Sequence, residues 1–414
     1  MRSPPPRGAS SGATAATPAA VRHIFAVSDL HSEYSENTHW VESLDPSVYR
    51  SDALIVAGDV AERLDKFRET MRALTETFGL VFYTPGNHEL WCLRDGTEGA
   101  TSLEKLRRLD SICNELGIIT SPQRVNMVGG GRLHVCPLVS FHHISFDTEP
   151  DVRELRLPSV QRAMADFRAC RFPEGLQCGS QELARHIDRY NAIQLRASAA
   201  QAAAHPALLT PWTRWERLPR RDAGEPLLTF SHFLPRIELC PEKRFLRYPD
   251  LLKAVGSAPL GRRVAELQPD VHIFGHTHFG WDATLDDGTR YIQAALATPE
   301  ERRYRMKSLA IGSIQRAPLK VYDGELARFC PPNHAAWSSY YRTNPRTPDE
   351  TFPAPWVLDH YSKRAPSRVV LDGGATKSGG TSRAGPAGVG YKRTERSAPS
   401  TKTMRSEDND EDEA

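Results

Sequence analysis

Short apolar runs that end just before polar, metal-ligating residues recur along this chain. Five such runs have four or five residues each: His23–Val27, Ala53–Ala57, Leu80–Tyr83, Leu227–Phe230 and Val271–Phe274. Continuous apolar runs of this length, bounded by Gly or Asp, are typical of buried strands. The polar clusters that follow them are Asp29-Leu30-His31, Gly58-Asp59, Gly86-Asn87-His88-Glu89, Ser231-His232 and Gly275-His276-Thr277-His278. Because open α/β sheets bind ligands at the carboxyl ends of their strands, we expect these clusters to meet at one sheet edge.

The stretches between the first runs show helical periodicity. Glu62–Phe78 places apolar side chains on one face and stops before Gly79, which suits a helix end. Leu103–Leu116 has the same pattern and stops before Gly117. Alternating strands and helices of this size predict right-handed crossovers in an α/β fold.

The chain beyond the last polar cluster favours antiparallel strands. Asp282–Leu285, Tyr291–Ala294 and Leu319–Tyr322 are strand-like segments. Asp287-Gly288 is typical of a hairpin turn between the first two of them.

A segment from about 150 to 226 interrupts the alternation and is interpreted as a largely helical insertion. A long helix is predicted at Gln181–Ala204, and two tryptophans and four arginines follow it: Trp212, Trp215, Arg214, Arg217, Arg220 and Arg221. We expect the insertion either to lie over or beside the sheet edge as a lid that selects the substrate, or to support packing.

Both ends of the chain contain few apolar residues that a hydrophobic core could bury. Residues 1–20 are mostly Pro, Ala, Ser, Thr and Arg, and residues 362–414 are rich in Gly, Ser, Thr, Lys and Pro. Both ends are therefore predicted to be disordered. The tail ends in an acidic run, Glu407 to Glu413, and is a candidate segment for binding a protein partner. The expected location is the cytoplasm; the Arg- and Ser-containing leader, with no acid before Asp29, leaves a plastid or mitochondrion as the alternative.

Charge and cysteine content narrow the functional classes. The 53 basic and 51 acidic residues give a net charge of +2, which argues against a nucleic-acid partner. The seven cysteines are scattered and form no Cys-x-x-Cys pair, which favours a reducing compartment over a disulfide framework. The chain has no run of 18 apolar residues, so no transmembrane helix and no membrane partner are expected.

The five polar clusters, in this order, resemble the calcineurin-like metallophosphoesterase superfamily. The match runs from about Ile24 to His278, and Thr84 to Trp91 and Phe274 to Phe279 further resemble a subgroup of plants and algae. The resemblance implies a four-layer α/β/β/α sandwich with metals at the inner sheet edges. The predicted phosphoesterase domain is residues 21–361, with the insertion inside it.

The resemblance also implies a dinuclear metal centre. One metal would be bound by Asp29, His31, Asp59 and His278, and the other by Asp59, Asn87, His232 and His276, so that Asp59 bridges the two. Mixed nitrogen and oxygen donors suit Mn, Fe or Zn better than Ca or Mg. Two such ions would clamp the phosphoryl oxygens and hold a bridging hydroxide for in-line attack, which removes the need for a Ser or Cys nucleophile.

His88 is predicted to be catalytic in a different way. It follows Asn87 by one residue, and the resemblance implies that it is the general acid that protonates the leaving alkoxide. Glu62 is a candidate to orient it. Arg63 is a candidate phosphate clamp, since Glu62 and Arg63 occupy the places of an Asp and an Arg in the protein Ser/Thr phosphatase branch. Leu64 and Pro85 depart from that branch.

Two further residues are candidates for substrate contact. Arg236 follows His232 by four residues and would contact an acidic substrate, or else would be a solvated surface arginine. His142 ends the strand-like run Leu133–Phe141 and would line the cleft, or else would form a surface pair with His143. Glu89 is expected to be structural, and His272, inside a strand, to be a core histidine.

The predicted function is metal-dependent hydrolysis of a phosphomonoester or phosphodiester. A nuclease is one alternative, against which the balanced charge argues. A non-catalytic scaffold is the other, and the presence of all eight ligand and acid positions argues against it.

Overall fold

The computed structural model describes residues 20–93, 100–212 and 224–363. The predictions for the leader up to residue 19, for the tail from residue 364 onward, and for Trp215 and the four arginines near it lie outside these residues.

The strands of the described residues form two sheets. In chain order they are β1 His23–Val27, β2 Ala53–Ala57, β3 Leu80–Thr84, β4 Gln123–Asn126, β5 Arg132–Pro137, β6 Leu209–Pro211, β7 Leu227–Phe230, β8 Val271–Phe274, β9 Trp281–Thr284, β10 Arg290–Gln293, β11 Leu319–Asp323 and β12 Arg328–Phe329. The first sheet has the order β12-β11-β1-β2-β3, and the second has the order β6-β4-β5-β7-β8-β10-β9.

Helices cover both outer faces of the pair of sheets. In chain order they are α1 Ser35–Glu42, α2 Pro46–Tyr49, α3 Leu64–Thr77, α4 Ser102–Glu115, α5 Val160–Ala163, α6 Asp166–Ala169, α7 Gln181–Asp188, α8 Tyr190–Ala204, α9 Ala258–Leu267, α10 Pro299–Leu309, α11 Ala336–Tyr341 and α12 Pro355–Ser362. Within the three described ranges, no helix combines the length and the apolar character needed to cross a bilayer.

The two sheets share one apolar core. Ile24, Ile55 and Phe82 of the first sheet belong to the same buried cluster as Phe230 and Ile273 of the second. A second cluster on the far side of the second sheet joins β9 and β10 to α9, α11 and α12. The predicted α/β/β/α sandwich is confirmed.

Parallel pairing brings the strand ends together. β1, β2 and β3 are parallel to one another, and so are β5, β7, β8 and β10. At the carboxyl end of β1, Ser28 N donates to Ala294 O at 2.9 Å and Leu296 N donates to Ser28 O at 2.9 Å. These bonds join the carboxyl edges of the two sheets, so the loops after both sets of strands face one another.

The later antiparallel strands are also confirmed. β9 and β10 pair antiparallel around the turn that contains Gly288, whose φ is 74°, and β11 pairs antiparallel with β1. His272 of β8 is fully buried between Thr229 Oγ1 (2.8 Å) and Ser231 Oγ (3.0 Å), as expected for a core histidine.

The prediction of one long helix at Gln181–Ala204 was wrong, because the segment forms α7 and α8 with a break at Arg189. At the break, the Asp188 carbonyl accepts from Asn191 Nδ2 (3.0 Å) and from Arg263 Nη2 (3.2 Å). Asn191 also bonds both the N–H and the carbonyl of Val139, at 2.8 and 3.0 Å. Side chains that bond backbone groups in this way compete with the helix ladder. The same bonds leave Val139 outside β5, which ends at Pro137 rather than at Phe141.

Candidate metal centre

All eight predicted ligand and acid positions lie at the joined sheet edges. They follow β1, β2, β3, β7 and β8, and they are Asp29, His31, Asp59, Asn87, His88, His232, His276 and His278. Three groups of them bring one ligand atom per residue within 4.8 Å of one another: first Asp29, His31 and His278; second Asp59, His232 and His276; and third His31, Asp59 and His88.

Asp29, His31 and His278, together with Asp59, are called site 1. His31 Nε2 lies 3.1 Å from His278 Nε2, and His278 Nε2 lies 3.2 Å from Asp29 Oδ1. His31 Nε2 is 4.0 Å from Asp59 Oδ2. Site 1 therefore contains the four side chains of the first predicted ligand set.

Asp59, His232 and His276, together with Asn87, are called site 2. Asn87 Oδ1 lies 2.9 Å from His276 Nδ1 and 3.0 Å from His232 Nε2. His232 Nε2 is 3.2 Å from His276 Nδ1 and 3.4 Å from Asp59 Oδ2. Asp59 Oδ2 is thus the atom that faces both sites.

Three of these histidines are fixed by an acceptor on their outward ring nitrogen. His232 Nδ1 is 3.0 Å from Ala57 O, His276 Nε2 is 2.9 Å from Ala254 O, and His278 Nδ1 is 2.6 Å from Glu301 Oε2. Carbonyl and carboxylate oxygens only accept, so these nitrogens carry a proton and the opposite nitrogens face inward, where each can bind a metal once it is deprotonated. Converging lone pairs and carboxylates suit a cation, and the mixed donors fit Mn, Fe or Zn.

The predicted ligands lie in strained loops. Five of them have left-handed backbones: Asp29 (φ 54°), His31 (43°), Asp59 (53°), His276 (76°) and His278 (53°). This conformation is uncommon for residues other than glycine and costs on the order of 1–3 kcal/mol each. Strain of this kind is typical of functional sites, since the surrounding structure must hold it in place.

Burial and charge set the protonation of the centre. Burial acts to raise the pKa of Asp59, but His232 and His88 outweigh it and hold that pKa well below its usual range. Burial lowers the pKa of His31 and of His276 to about 3. Asp59 is therefore a carboxylate and these two imidazoles are neutral at physiological pH, which is the state in which each can bind a metal.

His88 lies at the edge of the centre and faces a cavity. Its ring stacks on Trp91 with centroids 3.8 Å apart, and its Nε2 is 3.7 Å from Asp59 Oδ2. On the other side of the ring, Nδ1 is 3.7 Å from Glu62 Oε1. Burial acts to lower the pKa of His88, but Asp59 and then Glu62 raise it to about 9. His88 can thus carry a proton at neutral pH.

Glu89 holds the loops after β2 and β3 together. Its fully buried carboxylate accepts four backbone N–H bonds, from Asp59 (3.0 Å), Val60 (2.5 Å), Ala61 (3.0 Å) and Gly86 (2.7 Å). It is structural, as predicted, because it joins these two loops.

The three residues predicted to contact the substrate do not line the cavity above the metal centre. Arg63 pairs with Asp65 at the surface, and Arg236 pairs with Glu238 (2.8 Å) and Asp286 (2.5 Å). His142 is fully buried, with Nε2 3.2 Å from Asp166 Oδ2. None of the three is among the described residues that line the cavity.

The cavity above the centre has a volume of about 960 Å³. Its floor includes Asp59, Asn87, His88, His276 and His278. The predicted insertion supplies much of its wall, between Pro158 and Arg168, and the rest comes from Arg247, Tyr248, Leu251 and the α12 residues His360 and Tyr361. The insertion therefore lies beside the metal centre.

Sequence reasoning missed two carboxylates that contact the ligands. Glu301 bonds His278, and the pattern Thr298-Pro299-Glu300-Glu301 could have been recognised as a capping box, which the structure contains. Asp166 bonds Asn87 Nδ2 at 2.8 Å and Trp91 Nε1 at 2.7 Å. It is 79 positions away from Asn87, and no local pattern marks it.

Comparisons with known proteins identify a family and several proteins to which this chain is similar. The calcineurin-like phosphoesterase family matches residues 22–166. The acyl-carrier-protein phosphodiesterase PptH of Mycobacterium tuberculosis is 27% identical over 284 residues, which are 68% of this chain and 80% of PptH. The crystal structure of this phosphopantetheinyl hydrolase has a TM-score of 0.49 and 27% identity, covering 70% of this chain and 94% of that one. The crystal structure of a protein from Thermus thermophilus has a TM-score of 0.32 and 14% identity, covering 66% of this chain and 89% of that one.

Proposed function

We propose that this chain is a metal-dependent phosphoric ester hydrolase of the calcineurin-like phosphoesterase superfamily, whose family model matches residues 22–166, and that it cleaves a phosphodiester at a dinuclear centre with His88 as the general acid. The observation that carries the proposal is the position of Asp59 Oδ2, which faces His31 at 4.0 Å in site 1 and His232 at 3.4 Å in site 2. A carboxylate oxygen between two complete donor sets is what a bridging ligand requires.

The ligand charges favour an anionic substrate. Sites 1 and 2 together hold two carboxylates, Asp29 and Asp59, one amide and four histidines, and a histidine binds a metal in its neutral form. Two divalent ions would therefore leave a net positive centre. When bound, Mn, Fe or Zn ions would polarise the phosphoryl group and lower the pKa of a water molecule toward about 7.

His88 supplies the proton that an alkoxide leaving group needs. Its Trp91 and Glu62 contacts hold the ring with Nε2 toward the centre and Nδ1 toward a carboxylate. Proton transfer from Nε2 to the leaving oxygen contributes most when the leaving alcohol is a weak acid. After the transfer, Glu62 keeps the neutral ring in the same orientation.

The cavity supports a diester with a bulky arm. Its walls combine apolar side chains, such as Trp91, Met164 and Leu251, with the arginines 162, 168 and 247. PptH is named for an acyl-carrier-protein phosphodiester and for phosphopantetheine. We infer a substrate of the same class, in which a phosphodiester joins a long, partly apolar arm to a protein hydroxyl.

The test is hydrolysis by metal-stripped protein reloaded separately with Mn, Fe, Zn or Mg. The substrates are bis-p-nitrophenyl phosphate, p-nitrophenyl phosphate, and a carrier protein bearing phosphopantetheine, whose loss of the arm is followed by mass spectrometry. We expect preference for the diesters. Cleavage of the monoester alone, or no cleavage by protein that binds two ions, would refute the phosphodiesterase assignment.

The role of His88 has its own test. The His88→Asn variant should lose much more rate on the alkyl diester than on bis-p-nitrophenyl phosphate, because p-nitrophenolate leaves without needing a proton. Equal losses on both substrates would argue against a general acid. Asp59→Asn is the companion variant, and it should lose bound metal and turnover together while remaining folded.

A further inference from the structure

Asp166 is an unusual carboxylate for a residue of the insertion. It begins α6, yet it is only 1% exposed and it lies at the wall of the cavity beside the ligands. Its Oδ1 accepts from Asn87 Nδ2 at 2.8 Å and from Trp91 Nε1 at 2.7 Å, and its Oδ2 is 3.2 Å from His142 Nε2. A buried carboxylate is costly unless such partners satisfy it.

We propose that Asp166 is a positioning residue through which the insertion completes site 2 and fixes the ring of His88. The inference rests on the proposed function, because it concerns the ligand and the acid that the proposed reaction uses. It has two branches, one through Asn87 and one through Trp91.

The first branch fixes the amide of Asn87. An amide can present either its oxygen or its NH₂ group toward a metal, and only the oxygen can bind a cation. Because Asp166 Oδ1 only accepts, the NH₂ group of Asn87 must point toward it. Asn87 Oδ1 is thereby directed to His232 and His276, 3.0 and 2.9 Å away. Asp166 thus selects the amide orientation that can bind a metal.

The second branch fixes the wall behind His88. The indole N–H of Trp91 donates to the same Asp166 oxygen, and the indole ring stacks on the imidazole with centroids 3.8 Å apart. A displaced Trp91 would let the imidazole turn away from the centre. One oxygen of the insertion therefore sets the position of both a ligand and the acid.

The seating of the insertion is consequently linked to metal occupancy. Segment Pro158–Arg168, which carries Asp166, also forms the cavity wall. Withdrawal of this segment would release Asn87 and weaken site 2, whereas the four side chains of site 1 are held together by contacts that do not involve Asp166. The two sites should therefore respond differently to loss of the carboxylate.

The experiment compares Mn binding by the full-length wild type and Asp166→Ala, using stepwise titration and the spin-coupled signal of a Mn pair in electron paramagnetic resonance. Outer partners of metal ligands typically change affinity by about 10–100-fold. We expect Asp166→Ala to lose about 10–100-fold in Mn affinity at one site only. Its spectrum should then show a single bound Mn ion under conditions in which the wild type shows a coupled pair. Asp166→Leu, which keeps a similar size but has no acceptor oxygen, should lose affinity at the same site and serves if the alanine variant does not fold.

Two controls separate positioning from general damage to the insertion. Asp188 lies elsewhere in the insertion and forms an ion pair with Arg263 of α9. Asp188→Asn removes this ion pair and should bind two ions as the wild type does. Trp91→Phe keeps the stacked ring without the N–H; it should bind two ions but lose rate on the alkyl diester more than on bis-p-nitrophenyl phosphate.

The outcomes distinguish this inference from the proposed function. Unchanged affinities in Asp166→Ala, or equal weakening of both sites, would overturn the role of Asp166 while the two-metal wild type stands. A wild type that binds fewer than two ions would overturn both.

Discussion

The predicted histidine ligands are oriented by residues that do not face the proposed metal sites. Glu301 shows this most clearly, because its carboxylate contacts His278 Nδ1 at 2.6 Å, Arg305 Nη2 at 2.7 Å and the N–H of Thr298 at 3.1 Å. Burial acts to raise the pKa of Glu301, but His278 and Arg305 hold it well below its usual range. Glu301 therefore remains an anion that keeps the proton of His278 on the outward nitrogen.

Glu301→Gln should weaken metal binding at site 1. The amide retains the size of the side chain but loses the charge that increases the basicity of His278. Affinity at site 1 should fall by about 10–100-fold, as for other outer partners of histidine ligands, and site 2 should keep its affinity. Metal titration measures both.

Glu300→Gln is the matched control, since it changes the neighbouring acid in the same first turn of α10. It should bind as the wild type does. If Glu301→Gln and Glu300→Gln bind metal equally well, Glu301 acts only as a helix cap.

At the scale of elements, strand-end loops carry the site and long-range bonds hold the loops. Glu89 connects the loop after β2 to the loop after β3 through its four backbone bonds. Burial, and then Asp59, raise its pKa to about 7. The position of Asp59 therefore depends on a residue 30 positions later.

Glu89→Gln should destabilise the fold and displace Asp59. The amide has one acceptor oxygen, so its NH₂ group must face backbone N–H groups that the carboxylate now satisfies. The free energy of unfolding should fall by about 3 kcal/mol, as for buried donors left unpaired, and metal content should fall with it. Urea unfolding measures the first effect, and Glu76→Gln, an exposed acid of α3, is the control. Unchanged stability would contradict the role of Glu89 in joining the loops after β2 and β3.

The contact between α4 and α8 predicts a pH dependence of stability. Burial raises the pKa of Asp110 to about 6, although the bond from Tyr190 Oη (2.5 Å) acts to lower it. The folded pKa lies above the unfolded value of about 3.9. The contribution of Asp110 is therefore fully present below about pH 4 and is lost as pH rises through about 6.

Asp110→Asn removes this dependence. The free energy of unfolding of the wild type, relative to the variant, should fall by about 2 kcal/mol between about pH 4 and pH 7, since each pKa unit corresponds to about 1.4 kcal/mol. Urea titrations of both proteins across this range measure it. A difference that stays constant with pH would show that Asp110 titrates normally.

The elements that the sequence predicts well are those with a local signal. The five apolar runs become strands with the expected bounds, except that β3 extends to Thr84. The helix break at Arg189 was missed because Asn191 bonds Val139, 52 positions earlier. Asp166 was missed for the same reason. Motif order predicts candidate ligands that the structure brings together, whereas contacts between distant segments decide which side chains hold them.

At the scale of the whole molecule, the cavity is assembled from segments that are far apart in the chain. The insertion, the segment from Arg247 to Leu251 and α12 meet over the sheet edges. Among the described residues, the acids lining the cavity are Asp59 and Asp166, and both contact the metal centre, whereas Arg162 and Arg168 at the wall reach solvent. The entrance therefore favours an acidic substrate, although the chain as a whole carries a charge of only +2.

Reversing both wall charges, in the Arg162→Glu/Arg168→Glu variant, should separate large substrates from small ones. We expect KM for a carrier protein bearing phosphopantetheine to rise about tenfold at low salt, because charge at a cleft entrance steers association, and the difference should shrink as salt screens it. Turnover of bis-p-nitrophenyl phosphate should change little, since the metal ligands are untouched. Arg153→Glu/Arg156→Glu reverses two charges of the same insertion that do not line the cavity, and it should leave both substrates unaffected. Equal losses on both substrates in the Arg162/Arg168 variant would mean that the arginines support the fold of the insertion rather than the approach of the substrate.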